Sequence, residues 1–277
     1  MNILATIVLY KPDWNNVSRL IESMSAKVQN FYIWDNTPNG SVETINDLHI
    51  NRNGNNIGLS RAYNYALQYA NQNGFDYLLT LDQDSRWENF PYYIQLVQDY
   101  ESKKGNGKVV YFASTSPNDT AYTKIAFGGI NSGAIIPTSL LNQTSWGGYN
   151  TDFFMDGIDD WLQLEAARNN YINLRIGKQQ LFQKFGEGCI GRFLWKRIES
   201  PNRSPMRLYG VFRNYMILWR DYELPKEMKI KTIKDWLFRW TKNIILIENN
   251  KYLKLKAIAF GLYDGILKRP SRIKKFI

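Results

Sequence analysis

Two carboxylates one residue apart, Asp82 and Asp84, close the apolar run Tyr77-Leu78-Leu79-Thr80-Leu81. A buried strand that ends this way aims both at the carboxyl edge of its sheet, where ligands bind in open α/β folds. Oxygen ligands of this kind suit Mg²⁺ or Mn²⁺, and such an ion can bridge nucleotide phosphates. The string Asp82-Gln83-Asp84-Ser85 also fits an ordinary polar turn, because Asp and Ser favour turns. A second acidic group, Asp156-Gly157-Ile158-Asp159-Asp160-Trp161, crowds three carboxylates into five residues. Their repulsion asks for a cation or full solvation. The group reads either as an acidic first helical turn favoured by the helix dipole or as the seat of a general base that takes a proton from an attacking hydroxyl.

The elements that position these groups follow from periodicity. Ile3–Leu9 reads as a buried strand, and Asp13 caps a helix whose Val17, Leu20, Ile21 and Met24 share one face. Phe31–Trp34 is a second strand ending at Asp35-Asn36, and His49-Ile50 belongs to a short third. Ser60 is expected to cap a helix with Ala62, Tyr65, Ala66 and Tyr69 on one face, and Tyr77–Leu81 is the next strand. Pro91–Tyr100 looks helical, Val109–Ala113 and Ala134–Pro137 look like strands, and residues 156–170 read as a loop running into a helix. Strands alternating with helices imply a mostly parallel α/β sheet covered on both faces. Successive strand ends then deliver Tyr10, Asp35, Asn36, Asn56, Gly58, Asp82 and Asp84 to one edge, with Arg61 and Asn64 on the helix that follows Gly58. Such an edge can hold a nucleotide, with Tyr10 against the base and Asp35 accepting from a ring N–H.

Two other features carry no site. Gly186-Glu187-Gly188-Cys189-Ile190-Gly191 spells a dinucleotide fingerprint, but it lies far from the first strand–helix turn and no ribose-binding acid follows at the required distance. His49 is the sole histidine, and one imidazole is no metal site.

The chain has 277 residues, enough for a large α/β domain with an appendage. One cysteine, Cys189, excludes a disulfide framework and points to a reducing cytoplasm. The first residues lack a basic region and a cleavage site, so they read as a strand and not as a signal peptide. No stretch reaches the ~20 apolar residues of a spanning helix. Nine Trp and eighteen Tyr exceed what a core needs and hint at stacking surfaces for sugars. Charge is uneven. Residues 224–277 hold 11 Lys and 3 Arg against 4 acids, which accounts for the whole net charge of +10 and leaves residues 1–223 balanced. There Ile233, Trp236, Leu237, Trp240, Ile244 and Ile247 form one helical stripe with bases at its margins, the pattern of an interfacial amphipathic helix on anionic lipid. The other reading is a helix packed on the protein with a solvated basic face. Nucleic acid also fits the charge, but no fold that binds it appears.

In order along the chain, the strand ending at Tyr10, Trp34-Asp35-Asn36, residues 56–64 (Asn-Ile-Gly-Leu-Ser-Arg-Ala-Tyr-Asn), Leu81–Ser85, Phe154–Asp159, Phe185-Gly186-Glu187 and Arg207–Asn214 resemble family 2 glycosyltransferases of the GT-A fold. The similarity covers about residues 2–220 and is greatest to bacterial rhamnosyl- and galactofuranosyl-transferases of surface polysaccharide synthesis. It implies that Asp35 contacts the nucleobase, that Asp84 holds a divalent cation and that Asp82, with Gln83, helps to position the nucleotide. It places the catalytic base at Asp159, with Asp156 or Asp160 able to share the role, and puts Gln183 where many members carry a metal-binding histidine. Gly129, Ser132, Gly133, Trp146 and Trp161 would line the acceptor side.

The resemblance implies an inverting, metal-dependent transfer of a sugar, rhamnose foremost, from a dTDP- or UDP-linked donor to a saccharide, expected to be linked to a lipid diphosphate. Residues 1–223 would be catalytic, with the nucleotide-sugar half at about 1–100 and the acceptor half beyond it. Residues 224–277 would hold the protein on the inner face of the cell membrane. A sugar-phosphate nucleotidyltransferase shares the sheet but needs a Gly-rich basic loop where this chain has Lys11-Pro12-Asp13-Trp14. A non-catalytic, membrane-associated relative of the fold is the third reading, suggested by Gln183.

Overall fold

The computed structural model describes residues 1–183 and 188–276. Phe185-Gly186-Glu187 of the similarity set, and the start of the rejected glycine string, lie outside the described residues. The chain divides into two compact units, Met1–Phe154 with Ile158–Lys184, and Met155–Gly157 with Phe185–Ile277.

The first unit opens with β1 (Ile3–Leu9), buried at every residue as befits a central strand covered on both faces. The α1 helix (Trp14–Met24) begins where Asp13 accepts from the Asn15 and Asn16 amides, and it buries the expected Val17, Leu20, Ile21 and Met24. Next come β2 (Phe31–Asp35), β3 (Thr44–Ile45), β4 (Leu48–Arg52), α2 (Leu59–Gln72), β5 (Tyr77–Asp82), β6 (Arg86–Trp87) and α3 (Phe90–Tyr100). They are followed by β7 (Val109–Ala113), β8 (Tyr122–Lys124), β9 (Ala134–Pro137), α4 (Thr138–Gln143), α5 (Ile158–Arg168), β10 (Ile172–Ile176) and β11 (Leu181–Phe182).

Among the described residues nine of these strands form one sheet in the order β3-β4-β2-β1-β5-β9-β7-β10-β8. The pairs β1–β2, β1–β5, β2–β4 and β7–β10 are parallel, while β9 runs antiparallel to β5 and β7. Chain order runs outward from β1 to β2 and β4, then resumes beyond β1 at β5. The carboxyl ends of β1 and β5 therefore flank a topological switch point, where a crevice opens in doubly wound sheets.

The α2 helix corrects one expectation. Its N-cap is Gly58 at φ +84°, not Ser60, which lies inside the helix and donates its hydroxyl to the Phe153 carbonyl. A side chain at Gly58 would strike the Phe154 carbonyl, 2.5 Å from the Cβ position, and Leu59 N–H donates to that same oxygen at 2.7 Å. The buried face is Ser60, Ala62, Tyr63, Ala66, Leu67 and Ala70. Tyr65 and Tyr69 are exposed instead, because they lie over aromatic rings of β2: Tyr65 stacks on Trp34 at 4.6 Å and Tyr69 tilts against Tyr32 at 5.2 Å.

In the second unit, a hairpin of β12 (Cys189–Phe193) and β13 (Lys196–Ser200) precedes α6 (Pro205–Asp221), α7 (Lys226–Thr232), a π-helical stretch (Ile233–Trp240), α8 (Thr241–Ile247) and α9 (Lys251–Ile266). Residues 205–221 thus belong with the tail helices rather than ending a separate catalytic region at 223. The reason is packing: Gly261 and Gly265 of α9 lie so close to α6 that a Cβ on either would come within 2.6 Å of the Tyr209 or Arg213 carbonyl. Asp264 of α9, fully buried, accepts from the Tyr209 hydroxyl at 2.8 Å and from the Arg272 guanidinium.

The tail stripe faces inward over much of its length. Trp240 and Ile244 are buried, Trp236 meets Tyr215 edge-on, and the Arg203 guanidinium lies 4.6 Å from the Trp240 ring. This is the packed-helix reading, since the indoles find partners within their own unit. No helix among the described residues is long and apolar enough to cross a membrane.

Burial pushes several phenols upward, Tyr93 and Tyr111 among them, and Tyr77 to about 12. A phenol that ionises less readily when folded adds stability that is complete below its unfolded value of about 10 and is lost as pH rises through the folded value. Urea denaturation at a series of pH values is therefore expected to give a flat midpoint from about pH 8 to 9 and a progressive fall above about pH 10. A midpoint unchanged up to about pH 11 contradicts the burial of these rings.

Candidate active site

The ends of β1 and β5 are clasped together by one side chain. Gln83 accepts from the Tyr10 amide at 2.7 Å and donates to the Tyr10 carbonyl at 3.0 Å. Ser132 Oγ accepts from the Asp82 amide at 3.0 Å and shares a 2.6 Å hydrogen bond with Ser85. These contacts fix where the Asp82 and Asp84 carboxylates emerge. Asp82 is half-buried and Asp84 is exposed at the edge. The Tyr10 ring, 44 % exposed, is open to a planar ligand while its backbone is held.

Beneath this edge lies a buried polar group. The Tyr63 phenol is driven well above its ordinary pKa, first by burial, then by Asp82 and Tyr149, and least by Asp159. The Tyr149 phenol is also raised, by burial and by Asp159. Asp82 leaves the end of β5, and Asp159 sits in the first turn of α5. Asn131 stands close enough to both phenols to ease their ionisation slightly. The hydroxyls of Tyr63 and Tyr149, both amide atoms of Asn131 and the Trp161 Nε1 nevertheless lack well-formed hydrogen bonds among the described residues. Buried polar groups are ordinarily satisfied, so such a cluster marks a place for water or for a polar ligand. Tyr63, Tyr149 and Asn131 come together from distant parts of the chain, and no local pattern announces them.

Several expected ligand contacts are occupied by structural work. The buried Asn36 accepts from Trp34 Nε1 at 3.0 Å and from the Ile57 amide at 3.1 Å, and donates to the Gly58 carbonyl at 3.3 Å. Asn56 accepts from the Gly58 amide at 3.0 Å, a turn contact that sets the entry to α2. Asn64 clasps Tyr149, accepting from its amide at 2.7 Å and donating to its carbonyl at 2.9 Å. The Gln83 amide is used in the same way on Tyr10. In each case a primary amide supplies one donor and one acceptor to a backbone that has no regular partner there. Asp35 is 1 % exposed, and its Oδ1 accepts from the Thr37 amide at 2.8 Å. Opposite it in register is Arg52, whose Nε and one terminal nitrogen are buried without partners among the described residues. Arg52 was not singled out from sequence, although a strand-end arginine beside an aspartate is a readable signal. Arg61 is exposed at the start of α2.

The expected acceptor side is also revised in part. Gly129 is buried and bonded both ways to the Gln163 side chain, at 2.9 and 3.2 Å. Gly133 at φ +79° is buried against Ala113, Leu181 and Trp87. Ser132 is buried under Asp82, and Trp161 is fully buried against Tyr149. These residues shape the floor, and Trp146, 46 % exposed, is the member of the set that stays open to a ligand. Asp156 belongs to the second unit. Its carboxylate accepts from Arg207 at 2.7 and 3.2 Å and lies 3.9 Å from Arg203, while Asn214 donates to its carbonyl at 2.6 Å. That carboxylate is thus committed to guanidinium, while Asp159 and Asp160 stand on the first turn of α5.

The donor set at the edge fits a hard divalent cation. Gln183 Nε2 donates to Asp82 Oδ2, and the buried Oε1 of the same amide has no partner among the described residues. Carboxylate and amide oxygens are the ligands that Mg²⁺ and Mn²⁺ accept. No cluster of three or more His, Cys, Asp or Glu suited to a metal occurs among the described residues, so an ion here would draw on an amide oxygen and on its own ligand.

No family model matches the chain. A dTDP-rhamnosyl transferase, RfbF of Shigella flexneri, is 24% identical over 296 residues, covering 96% of this chain and 95% of the relative. Residues 1–349 of TarS from S. aureus, solved with UDP-GlcNAc, superpose with a TM-score of 0.60 at 13% identity, over 100% of this chain and 84% of that one. The chain spans 50% of a longer TarS structure, at a TM-score of 0.57. GalNAc-T7 with UDP, GalNAc and Mn2+ aligns with a TM-score of 0.52 at 11% identity, over 98% of this chain and 58% of that one. The sheet and its flanking helices are thus of the GT-A fold, and the chain resembles family 2 glycosyltransferases, rhamnosyltransferases in particular.

A buried hydroxyl without a partner costs about 1–3 kcal/mol. Tyr63→Phe is accordingly expected to leave stability unchanged or to raise it by about 1 kcal/mol in urea denaturation. A loss above about 1 kcal/mol contradicts the unsatisfied state of that hydroxyl.

Proposed function

We propose that the chain is an inverting glycosyltransferase that moves a sugar, rhamnose foremost, from a dTDP- or UDP-linked donor to a saccharide carried on a lipid diphosphate, in the synthesis of a cell-surface polysaccharide. The observation that carries the reading is the Asp82 carboxylate at the end of β5, hydrogen-bonded by Gln183 at the switch point of the sheet. The names of RfbF and of the UDP-GlcNAc complex of TarS support the donor class.

In this reading the exposed Tyr10 ring covers the base, and Asp35 with Arg52 takes its polar edge. Asp82 and Asp84, with Gln183, would hold Mg²⁺ or Mn²⁺ beside the diphosphate. A divalent cation there supplies Lewis-acid neutralisation of the leaving group. Asp159 removes the proton of an acceptor hydroxyl as its oxygen attacks the anomeric carbon on the face opposite the diphosphate. The C–O bond to phosphate breaks as the new glycosidic bond forms, so configuration inverts. Trp146 offers an aromatic face to the acceptor. Tyr63, Tyr149 and Asn131, buried beneath the edge, would offer hydrogen-bond partners to a donor-sugar hydroxyl or to a water that bridges to it. Asp160 lies one residue from the base and can share the role.

The bases of 224–277 would draw the protein to anionic lipid on the inner membrane face, each adding on the order of 1 kcal/mol. This suits an acceptor that is itself membrane-bound. A nucleotidyltransferase is disfavoured because β1 runs into Lys11-Pro12-Asp13 without glycines, and the Lys11 amide is bound to Thr37 Oγ1 at 2.7 Å.

Asp159→Asn keeps size and removes the base, so turnover should fall about 10²–10⁴-fold with donor KM little changed. Asp84→Ala should raise donor KM and the Mn²⁺ requirement together. Anomeric configuration read by NMR on the product is expected to be the inverse of that in the donor. Full activity in both variants removes the assignment, and retained configuration removes the single-displacement mechanism.

A further inference from the structure

We propose that the β12–β13 hairpin is a membrane-inserting tip that seats its apex, Phe193-Leu194-Trp195, among the headgroups of an anionic lipid surface. The inference deepens the membrane reading above, on which it rests, and is independent of the sugar chemistry.

Hydrophobic side chains at a hairpin apex need a reason, and these are among the most exposed in the chain: Trp195 is 83 % exposed, Leu194 71 % and Phe193 47 %. The base of the hairpin is fixed. Gly191 lies against α8 so closely that a Cβ would come within 2.7 Å of Ile247, and Asn243 donates to the Glu199 carbonyl at 3.0 Å. Ser200 bonds Glu248, whose other oxygen takes the buried Lys254 ammonium at 2.6 Å.

Two features of that tip work against the folded state. Leu194 and Trp195 form a two-residue turn between the paired Phe193 and Lys196, and Leu194 has φ +54°. Tight hairpin turns reserve that conformation for Gly, Asn or Asp, and a branched apolar residue there is an outlier that suggests a functional demand. Arg192 also stands directly opposite Arg197 across the ladder, a like-charge pairing that destabilises a hairpin. Glu199 offsets Arg197 at 2.9 Å, but both side chains are well exposed, where such a pair is weak.

An anionic bilayer resolves both costs. Apolar and aromatic apex residues enter the headgroup layer, where Trp is favoured, while Arg192, Lys196 and Arg197 remain as a collar on the phosphates. A lipid surface is favoured over a protein partner because the apex is narrow, with three apolar residues, whereas a protein interface needs a broad packed patch, and because the unit's charge of +10 over 224–277 matches an anionic leaflet. The nearby helices add to the lipid reading: Phe238 and Ile245 are exposed at 68 % and 51 %, in the stretch of sequence that carries the +10 charge. The tip supplies the apolar insertion that the inward-facing tail stripe does not.

Co-sedimentation of the full chain with phosphatidylcholine vesicles, with and without phosphatidylglycerol, tests this. Wild type should bind the phosphatidylglycerol vesicles. Leu194→Gly, which suits the turn, should keep or raise thermal stability and weaken binding about tenfold, and adding Trp195→Ser should weaken it about tenfold again. Turnover on a soluble acceptor should stay at the wild-type value in both. A double variant that binds as tightly as wild type overturns the tip while leaving the basic tail in place. A wild type that ignores phosphatidylglycerol vesicles overturns both membrane readings, and the transferase reading is then judged on turnover alone. Self-association of wild type that the double variant abolishes in gel filtration, without lipid effects, assigns the tip to a protein interface and overturns the proposal.

Discussion

The register between the strand ends and the start of α5 is the constraint on which the rest of the site depends. Asp82 arrives from the end of β5 and Asp159 from the first turn of α5, so the two can serve one ligand only if the sheet and that helix are held together. The fixing is done by polar clasps. Gln83 ties β5 to β1, Ser132 holds the Asp82 amide, Gln163 holds Gly129, and Asn64 holds Tyr149. Each clasp supplies roughly 1 kcal/mol net, yet leaving its buried partner unmade would cost more, so together they make the geometry stiff. Preorganisation of this kind suits a site that must meet charge developing on a leaving diphosphate.

The same constraint explains why the cluster of Tyr63, Tyr149, Asn131 and Trp161 is tolerated. Four buried polar groups without well-formed partners among the described residues are a liability in a site meant only for stability. They become an asset where water or a polar ligand completes them.

Much of the fold was legible because its strands and helices obey simple periods. Ile3–Leu9, Val109–Ala113 and Ala134–Pro137 stand in the structure as the sequence reading placed them, and Asp13 caps α1 as its spacing required. The face of α2 was misread because Tyr65 and Tyr69 look apolar in a helical pattern but are themselves exposed, covering the buried Trp34 and Tyr32 rings of β2. Asn36, Asn56, Asn64 and Gln83 carry the atoms a nucleotide needs and equally the atoms a broken backbone ladder needs. The structure shows the second use for all four. Asn131 and Tyr149 were invisible for another reason: they reach Tyr63 through long-range packing that leaves no local trace. The tail showed its charge in the sequence but not the direction of its indoles, since an amphipathic stripe looks alike whether it faces lipid or protein.

Thermal denaturation with dTDP- and UDP-linked sugars, in the presence and absence of Mn²⁺, tests the shared site most directly, because a ligand that binds only the folded state raises its melting temperature. At a donor concentration about 100 times its dissociation constant the stabilisation is about 2.7 kcal/mol, a shift of several degrees. The account predicts that shift for wild type and for Asp159→Asn, and its loss in Asp82→Ala. No shift with any donor, or an undiminished one in Asp82→Ala, contradicts it.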